Sequence, residues 1–369
     1  MPLVSHNGMP AFKRLQSEGK VVLEPDRAEH QDIRELHIGL LNMMPDAAML
    51  ATERQFFRLV GDSNPIAQFY MHPFTLKELH RGPDARAHLD QYYESFEQIR
   101  ADGLDALIIT GANVTHVDLS QEPFWEPLGE VINWALENVT STLCSCLATH
   151  AVLHFRYNLK RHPLPAKRWG VFQHRVLDKR HPLVSDVNTC FDVPHSRFNE
   201  ISREQFERAG LHVLVDSKEA GPHLAVSEDG LRVVFQQGHP EYDTISLLKE
   251  YKREVMHYAK RGRGDYPPFP DNYLQQQELG ILVNYRLQLN EAMECGAQLP
   301  EFPETLIAHC VDNTWRDTAR AVVGNWMGAI YQVTHSDRKA LFMEGIDPLD
   351  PLELGWQNAE EKNTFLMQG

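Results

Sequence analysis

Strand-length apolar runs alternate with helix-periodic segments through the first two-thirds of this chain, and that order admits few folds. LHIGLLNMM (36–44) is a continuous apolar run of strand length, and ATERQFFRLVG (51–61) spaces Phe56, Phe57, Leu59 and Val60 as one helical face. IAQFYMH (66–72) reads as strand, YYESFEQIRADG (92–103) as helix, and LDALIIT (104–110) as strand again. FWEPLGEVINWALENV (124–139) puts Trp125, Leu128, Val131, Ile132 and Ala135 on one face, and TSTLCSC follows it. The alternation predicts an α/β fold, a doubly wound and mostly parallel sheet flanked by helices.

From about residue 170 the pattern becomes richer in strands, with GVFQHRVL, LHVLVDS, HLAVS and LRVVFQQG, the last followed by a helical TISLLKEYKREVMHYAKRG. RGRGDYPPFPDN (261–272) breaks it with Gly and Pro, and RDTARAVVGNWMGAIYQV (316–333) is helical. We expect an N-terminal arm at 1–35, the main α/β domain at 36–262, a mainly helical C-terminal extension at 263–337 packed on it, and a loose acidic tail at 338–369. No internal repeat is apparent.

Charge narrows the function. The 369 residues carry 36 Lys and Arg against 51 Asp and Glu, a net charge of −15, which disfavours nucleic acid and anionic membranes as partners. The first residues lack a basic cap followed by an apolar run, and no apolar run approaches a membrane span, so a cytoplasmic protein is expected. The five cysteines are scattered and odd in number, which argues against a disulfide framework. No CxxC pair or His-x-x-x-His spacing suggests zinc, and no metal site and no bound cofactor are expected.

VTSTLCSCLATHAVLHF (139–155) passes from strand to helix through two cysteines with no Gly or Pro between. Ligands of an open α/β sheet bind beyond the carboxyl ends of its strands. Cys146 stands at such an end, where the following helix aims its positive pole at the thiol and favours a thiolate. Cysteine is also a common core residue; Cys144 reads as core, and for Cys146 position alone leaves core and nucleophile open. A nucleophile needs a base and a group to orient it. LRVVFQQGHPEYD (231–243) ends a strand at Gly238 and presents His239 and Glu241, although a plain Pro turn would look the same. His150, one helical turn beyond Cys146, is the rival base and should point away from the elbow.

A Cys at a strand-to-helix elbow with strand-x-x-His-Pro-Glu about a hundred residues later resembles the class I glutamine amidotransferase superfamily. LLNMMP (40–45), TERQFFRL (52–59), DALIITGA (105–112), VTSTLCSC (139–146), VPHSRF (193–198) and GHPEYD (238–243) together resemble the homoserine O-acyltransferases of methionine biosynthesis, in family order across 35 to 260. The resemblance implies acyl transfer from an acyl-CoA co-substrate to the hydroxyl of L-homoserine through a thioester. It implies Cys146 as nucleophile, His239 as base and Glu241 as its partner. It places an oxyanion hole at the backbone of Leu147, Gly111 and Ala112, and substrate contacts at Lys167, Ser196, Arg253 and, in a lesser role, Arg197. It also implies a homodimer.

The same resemblance makes Thr115 the acyl-specificity position. Glutamate there would repel a succinyl carboxylate and glycine would admit it; threonine is uncharged and short, so succinyl-CoA is the expected donor and acetyl-CoA the alternative. After LLNMMP the family often has lysines where this chain has DAAMLATERQ, which puts any lysine contact there in doubt. A glutamine amidohydrolase would use the same three residues but usually flanks its cysteine with glycines, where Ser145 and Leu147 stand here. A non-catalytic relative would tend to lose a member of the triad, and all three are present.

Overall fold

Buried on both faces, a parallel strand needs a continuous apolar run, and such runs build the centre of the sheet. The computed structural model describes residues 3–30, 33–64 and 66–356. Its strands are β1 (Leu3–Val4), β2 (Val22–Leu23), β3 (Glu35–Leu41), β4 (Gln68–Phe74), β5 (Ala106–Ile109), β6 (Ser141–Ser145), β7 (His162–Val176), β8 (Cys190–Glu200), β9 (His212–Asp216), β10 (Leu224–Val226) and β11 (Val233–Gln236). They form one sheet in the order β2-β1-β4-β3-β5-β6-β11-β10-β9-β7-β8. Pairing is parallel from β2 to β11 and antiparallel from β11 to β8. The expected doubly wound α/β sheet is present, with an antiparallel wing where the sequence turns strand-rich.

Helices cover both faces. Phe56, Phe57 and Val60 of the helix Asp46–Ser63 join Val323, Trp326 and Ile330 of the helix Arg316–Val333 in one core. Leu128, Val131 and Ile132 of Trp125–Asn138 and Ala148, Ala151 and Val152 of Leu147–Tyr157 form the core on the other face. A third core joins Leu248, Tyr251 and Val255 of Ser246–Ala259 to Leu282, Tyr285 and Leu289 of Gln276–Cys295. Through it the C-terminal helical region is seated on the helix that follows GHPEYD.

Both ends of the chain are tied in more closely than their composition suggests. The segment read as an arm adds β1 and β2 to the sheet edge, and Phe12 packs on Phe57 with ring centroids 5.3 Å apart. Of the segment read as a loose tail, Phe342, Ile346, Leu352 and Trp356 pack on the first core; residues 357–369 lie outside the described residues. Trp356 covers His212 at 3.8 Å between centroids and His181 at 5.4 Å. Among the described residues no helix is long and apolar enough to cross a membrane.

His181 is a buried histidine held neutral. Its Nδ1 accepts the Leu183 N–H at 3.2 Å and its Nε2 faces the Gly230 carbonyl at 3.1 Å, so one tautomer satisfies both nitrogens. Burial pushes its pKa down to about 4, against the pull of Asp178 and with the help of His212. Between that value and 6.5 the unfolded chain binds the proton that the folded chain refuses, so acidification favours unfolding. Each such group costs up to about 1.4 kcal/mol per pH unit in that window. Thermal melts should show Tm falling as pH drops from about 7 to about 5. His181→Asn, which keeps an acceptor for Leu183, should flatten the fall; an unchanged slope would contradict the assignment.

Candidate active site

The parallel register brings the decisive segments to one edge. Ile109 pairs with Cys144 and Ser145 with Gln236, so the chain leaves β5 at Gly111, β6 at Cys146 and β11 at Gly238 side by side. Cys146 caps the helix Leu147–Tyr157 with φ 53° and ψ −110°, left of what an L-residue readily adopts. Its N–H donates to the Gln236 carbonyl at 2.7 Å. The Thr149 hydroxyl, one turn into the helix, lies 2.8 Å from the Cys144 carbonyl and 3.0 Å from that of Gln236, and accepts the Gln236 N–H at 3.1 Å. These bonds lock the elbow and leave the thiol half-exposed.

Cys144, two residues earlier, is fully buried in the core, and burial drives its thiol pKa far up. The two cysteines therefore differ in place, Cys144 in the core and Cys146 at the half-exposed elbow. His150 is buried behind the elbow, its Nε2 2.9 Å from Gln237 Oε1, and burial lowers its pKa to about 3. Its ring is engaged by Gln237.

His239 stands opposite Cys146. Its Nδ1 is 2.8 Å from Glu241 Oε1, its N–H donates to the Pro194 carbonyl at 2.8 Å, and Tyr242 stacks on the ring at 4.4 Å between centroids. Burial alone would strip the imidazolium proton. The charges of Cys146 and Glu241, with hydrogen bonds to both, outweigh it and hold the pKa well above the ordinary histidine value. Gly238 must be glycine: a Cβ there would lie 2.6 Å from Val193 and 2.9 Å from His195 Nε2.

The turn carrying His239 is clamped from a distant helix. Arg54 and Arg58, both in TERQFFRL, ion-pair with Asp243, and Arg58 donates to the Glu241 carbonyl at 2.8 Å. Gln55 Nε2 donates to Ser246 Oγ at 3.0 Å. Arg58, half-buried within its helix, meets the His239 turn across a wide gap in sequence, a meeting no local pattern announces.

Beside the triad, Glu250 gathers a polar cluster. It accepts from Tyr242 at 2.6 Å, from Ser196 at 2.6 Å and from Lys167 at 3.1 Å. Burial would raise its pKa, but the Lys167 charge, the two hydroxyls and the His239 charge more than offset it, keeping the carboxylate below its usual range. The sequence singled out Lys167 and Ser196 and missed Glu250, which reads as one charge among many in LLKEYKREV. Arg253, one turn on, is exposed and forms no ion pair with another described residue. Arg197 is buried and spends its donors on His195, Asn199, Ala220 and Glu200, so it bears on the site through its charge, which lies near enough to interact with Cys146.

Gly111 and Ala112 begin the loop that faces the elbow. A Cβ on Gly111 would lie 3.6 Å from Met44 Sδ, 3.8 Å from Cys146 Cβ and 3.9 Å from the Leu147 nitrogen. That N–H, in the first helical turn, has no intrahelical acceptor. Thr115 is exposed further along the loop, which Glu122 anchors by accepting the N–H groups of Thr115 and His116 at 2.7 Å each. Arg161, also missed by the sequence, donates to the carbonyls of His116 and Val117 at 3.2 and 3.3 Å, and its guanidinium lies near enough to interact with Cys146.

The sequence model of a family described as homoserine O-succinyltransferase matches residues 2–336. The chain is 70% identical over 354 residues to a homoserine O-succinyltransferase of Allochromatium vinosum, covering 96% of this chain and 99% of that one. It is 64% identical to one of Nitrosococcus oceani, covering 96% and 99%, and 62% identical to one of Methylobacter tundripaludum, covering 96% and 100%. Among solved structures it is similar to a glutamine amidotransferase of Thermotoga maritima, with a TM-score of 0.43 and 9% identity over 82% of this chain and 99% of that one.

Gly111→Ala tests the expected oxyanion pocket. Every contact its methyl would make is an ordinary one of 3.6 Å or more, so Tm should hold. The methyl would nonetheless stand before the Leu147 N–H, and acylation of Cys146 should slow roughly 100-fold. Stopped-flow acylation at the native rate in a folded variant would show that the oxyanion binds elsewhere.

Proposed function

The chain belongs to the homoserine O-succinyltransferase family, and on that premise we propose that it moves a succinyl group from succinyl-CoA to the hydroxyl of L-homoserine through a thioester on Cys146. The observation that carries the mechanism is the hydrogen-bonded Cys146–His239–Glu241 arrangement, in which the imidazole is held protonated beside the thiol.

In the first half-reaction the Cys146 thiolate attacks the thioester carbonyl, the bond to the CoA sulfur breaks, and His239 gives its proton to the departing CoA thiolate. The exchange of one thioester for another is nearly balanced in free energy. His239 is then neutral. In the second half it takes the proton of the homoserine hydroxyl, whose oxygen attacks the acyl-cysteine. The Cys146 thiolate leaves, and the starting charge state returns. Glu241 orients the ring and offsets its charge throughout. The Leu147 N–H and the Gly111–Ala112 turn receive the oxyanion in both steps.

Homoserine is a zwitterion, so its pocket needs both signs of charge. Glu250 supplies the anion for the ammonium group, and Lys167 and the unpaired Arg253 supply cations for the carboxylate. The succinyl group carries its own carboxylate to the far side of Cys146, toward Thr115 and Arg161. Thr115 adds no like charge there, and Arg161 offers a cation whose Nε has no partner among the described residues. This pairing supports succinyl over acetyl as the acyl group carried.

Intact-mass measurement after mixing with succinyl-CoA alone tests the reading. The native protein should gain one succinyl group and lose it when L-homoserine is added, while Cys146→Ala gains none and Cys144→Ala behaves as native. Thr115→Glu and Arg161→Met should slow acylation by succinyl-CoA at least about tenfold while sparing that by acetyl-CoA. Acylation of the Cys146→Ala protein, or native preference for acetyl-CoA, would overturn it.

A further inference from the structure

Away from the catalytic group, at the N-terminal edge of the sheet, three segments bring together His6, His72 and Glu94, with one ligand atom of each within 4.8 Å of the others. His6 follows β1, His72 lies in β4, and Glu94 lies on the segment that bridges back to Phe74. Glu94 is fixed by its own backbone, its N–H donating to the Pro73 carbonyl at 2.9 Å.

The hydrogen bonds assign the tautomers. His6 Nδ1 lies 3.1 Å from the Val4 carbonyl, which can only accept, so Nδ1 carries the hydrogen and Nε2 a lone pair. That Nε2 is buried and has no hydrogen-bond partner among the described residues. His72 Nδ1 lies 2.7 Å from Glu94 Oε1, His72 Nε2 lies 2.8 Å from His37 Nδ1, and His37 Nε2 lies 3.1 Å from Glu35 Oε1. With both rings neutral they own two hydrogens, and this row has three contacts with a carboxylate at each end. One contact therefore lacks a hydrogen. If the His72 and His37 hydrogens both point toward Glu35, the gap falls between His72 Nδ1 and Glu94, beside the orphaned lone pair of His6.

We propose that His6 Nε2, His72 Nδ1 and Glu94 Oε1 bind a zinc ion, completed by water, that fastens the N-terminal segment to β4. A cation there satisfies all three lone pairs at once. Each ligating ring then donates its other hydrogen outward, His6 to a backbone carbonyl and His72 through His37 to Glu35, the second-shell pattern that orients metal-bound histidine. Two imidazoles and a carboxylate suit zinc. Ligand atoms around tetrahedral zinc stand roughly 3.4 Å apart, so small side-chain shifts complete the site. The ligands come from three segments distant in sequence, and for that reason the spacing of histidines and cysteines gave no sign of it.

The test uses the full-length protein stripped with chelator, reloaded with zinc and desalted, with cobalt as the optical probe in parallel. The native protein and Cys146→Ala should each retain one equivalent of zinc. Both His6→Ala and Glu94→Gln should lose that equivalent, with unchanged circular dichroism confirming that they fold. Bound cobalt should show d–d bands of a nitrogen and oxygen site without a thiolate charge-transfer band. Retention of zinc by both variants, failure of the native protein to retain it, or a thiolate band would each overturn the proposal.

Discussion

A single strained residue organises this enzyme. Cys146 is held at φ 53° and ψ −110°, and it stays there because the surrounding framework leaves no alternative. Its own strand is clamped between β5 and β11, its N–H is bound to Gln236, and Thr149 ties the first helical turn to β6 and to β11. The strain aims the thiol out of the sheet edge and leaves the Leu147 N–H free beside it. The wound sheet, with apolar cores on both faces, is what makes the elbow rigid enough to hold that geometry.

Charge compensation follows from the same position. Cys146 at the elbow is met by His239, whose pKa burial would lower but the charges and hydrogen bonds of Cys146 and Glu241 hold well above the ordinary value, and His239 is met in turn by Glu241. Arg161 and Arg197 add positive charge from two other directions. The turn that carries His239 is itself held by Arg54 and Arg58 of the helix Asp46–Ser63 through Asp243. The protein as a whole is strongly acidic, whereas Arg161 and Arg197 bring positive charge to the elbow. That contrast suits a site whose acyl donor and products carry negative charge.

Most of the fold was legible because its strands are continuous apolar runs and its helices are strongly one-sided. Legibility failed where elements are short or apolar residues sparse. β1 and β2 are two residues each, so the N-terminal segment read as an arm; the acidic tail carries only a few large apolar side chains, yet Trp356 and its neighbours pack. β7 begins at His162, inside HPLPAKRW, whose prolines hide it and which pairs with β8 through a shifted register. At the site, Cys146, His239 and Glu241 stood out because they end strands or occupy a turn. Glu250, Thr149, Arg161 and the Arg58–Asp243 clamp did not, since each matters through a partner far along the chain.

The central claim is that the succinyl group rests on the enzyme between two separate half-reactions, with His239 exchanging its proton at each. Isotope exchange tests it most directly: the enzyme is mixed with unlabelled succinyl-CoA and labelled CoA, with no homoserine present. A covalent intermediate on Cys146 predicts that label enters succinyl-CoA at a rate comparable to turnover and that His239→Asn abolishes the exchange. Label that stays in CoA until homoserine is added would mean direct transfer in a ternary complex, and would contradict the account.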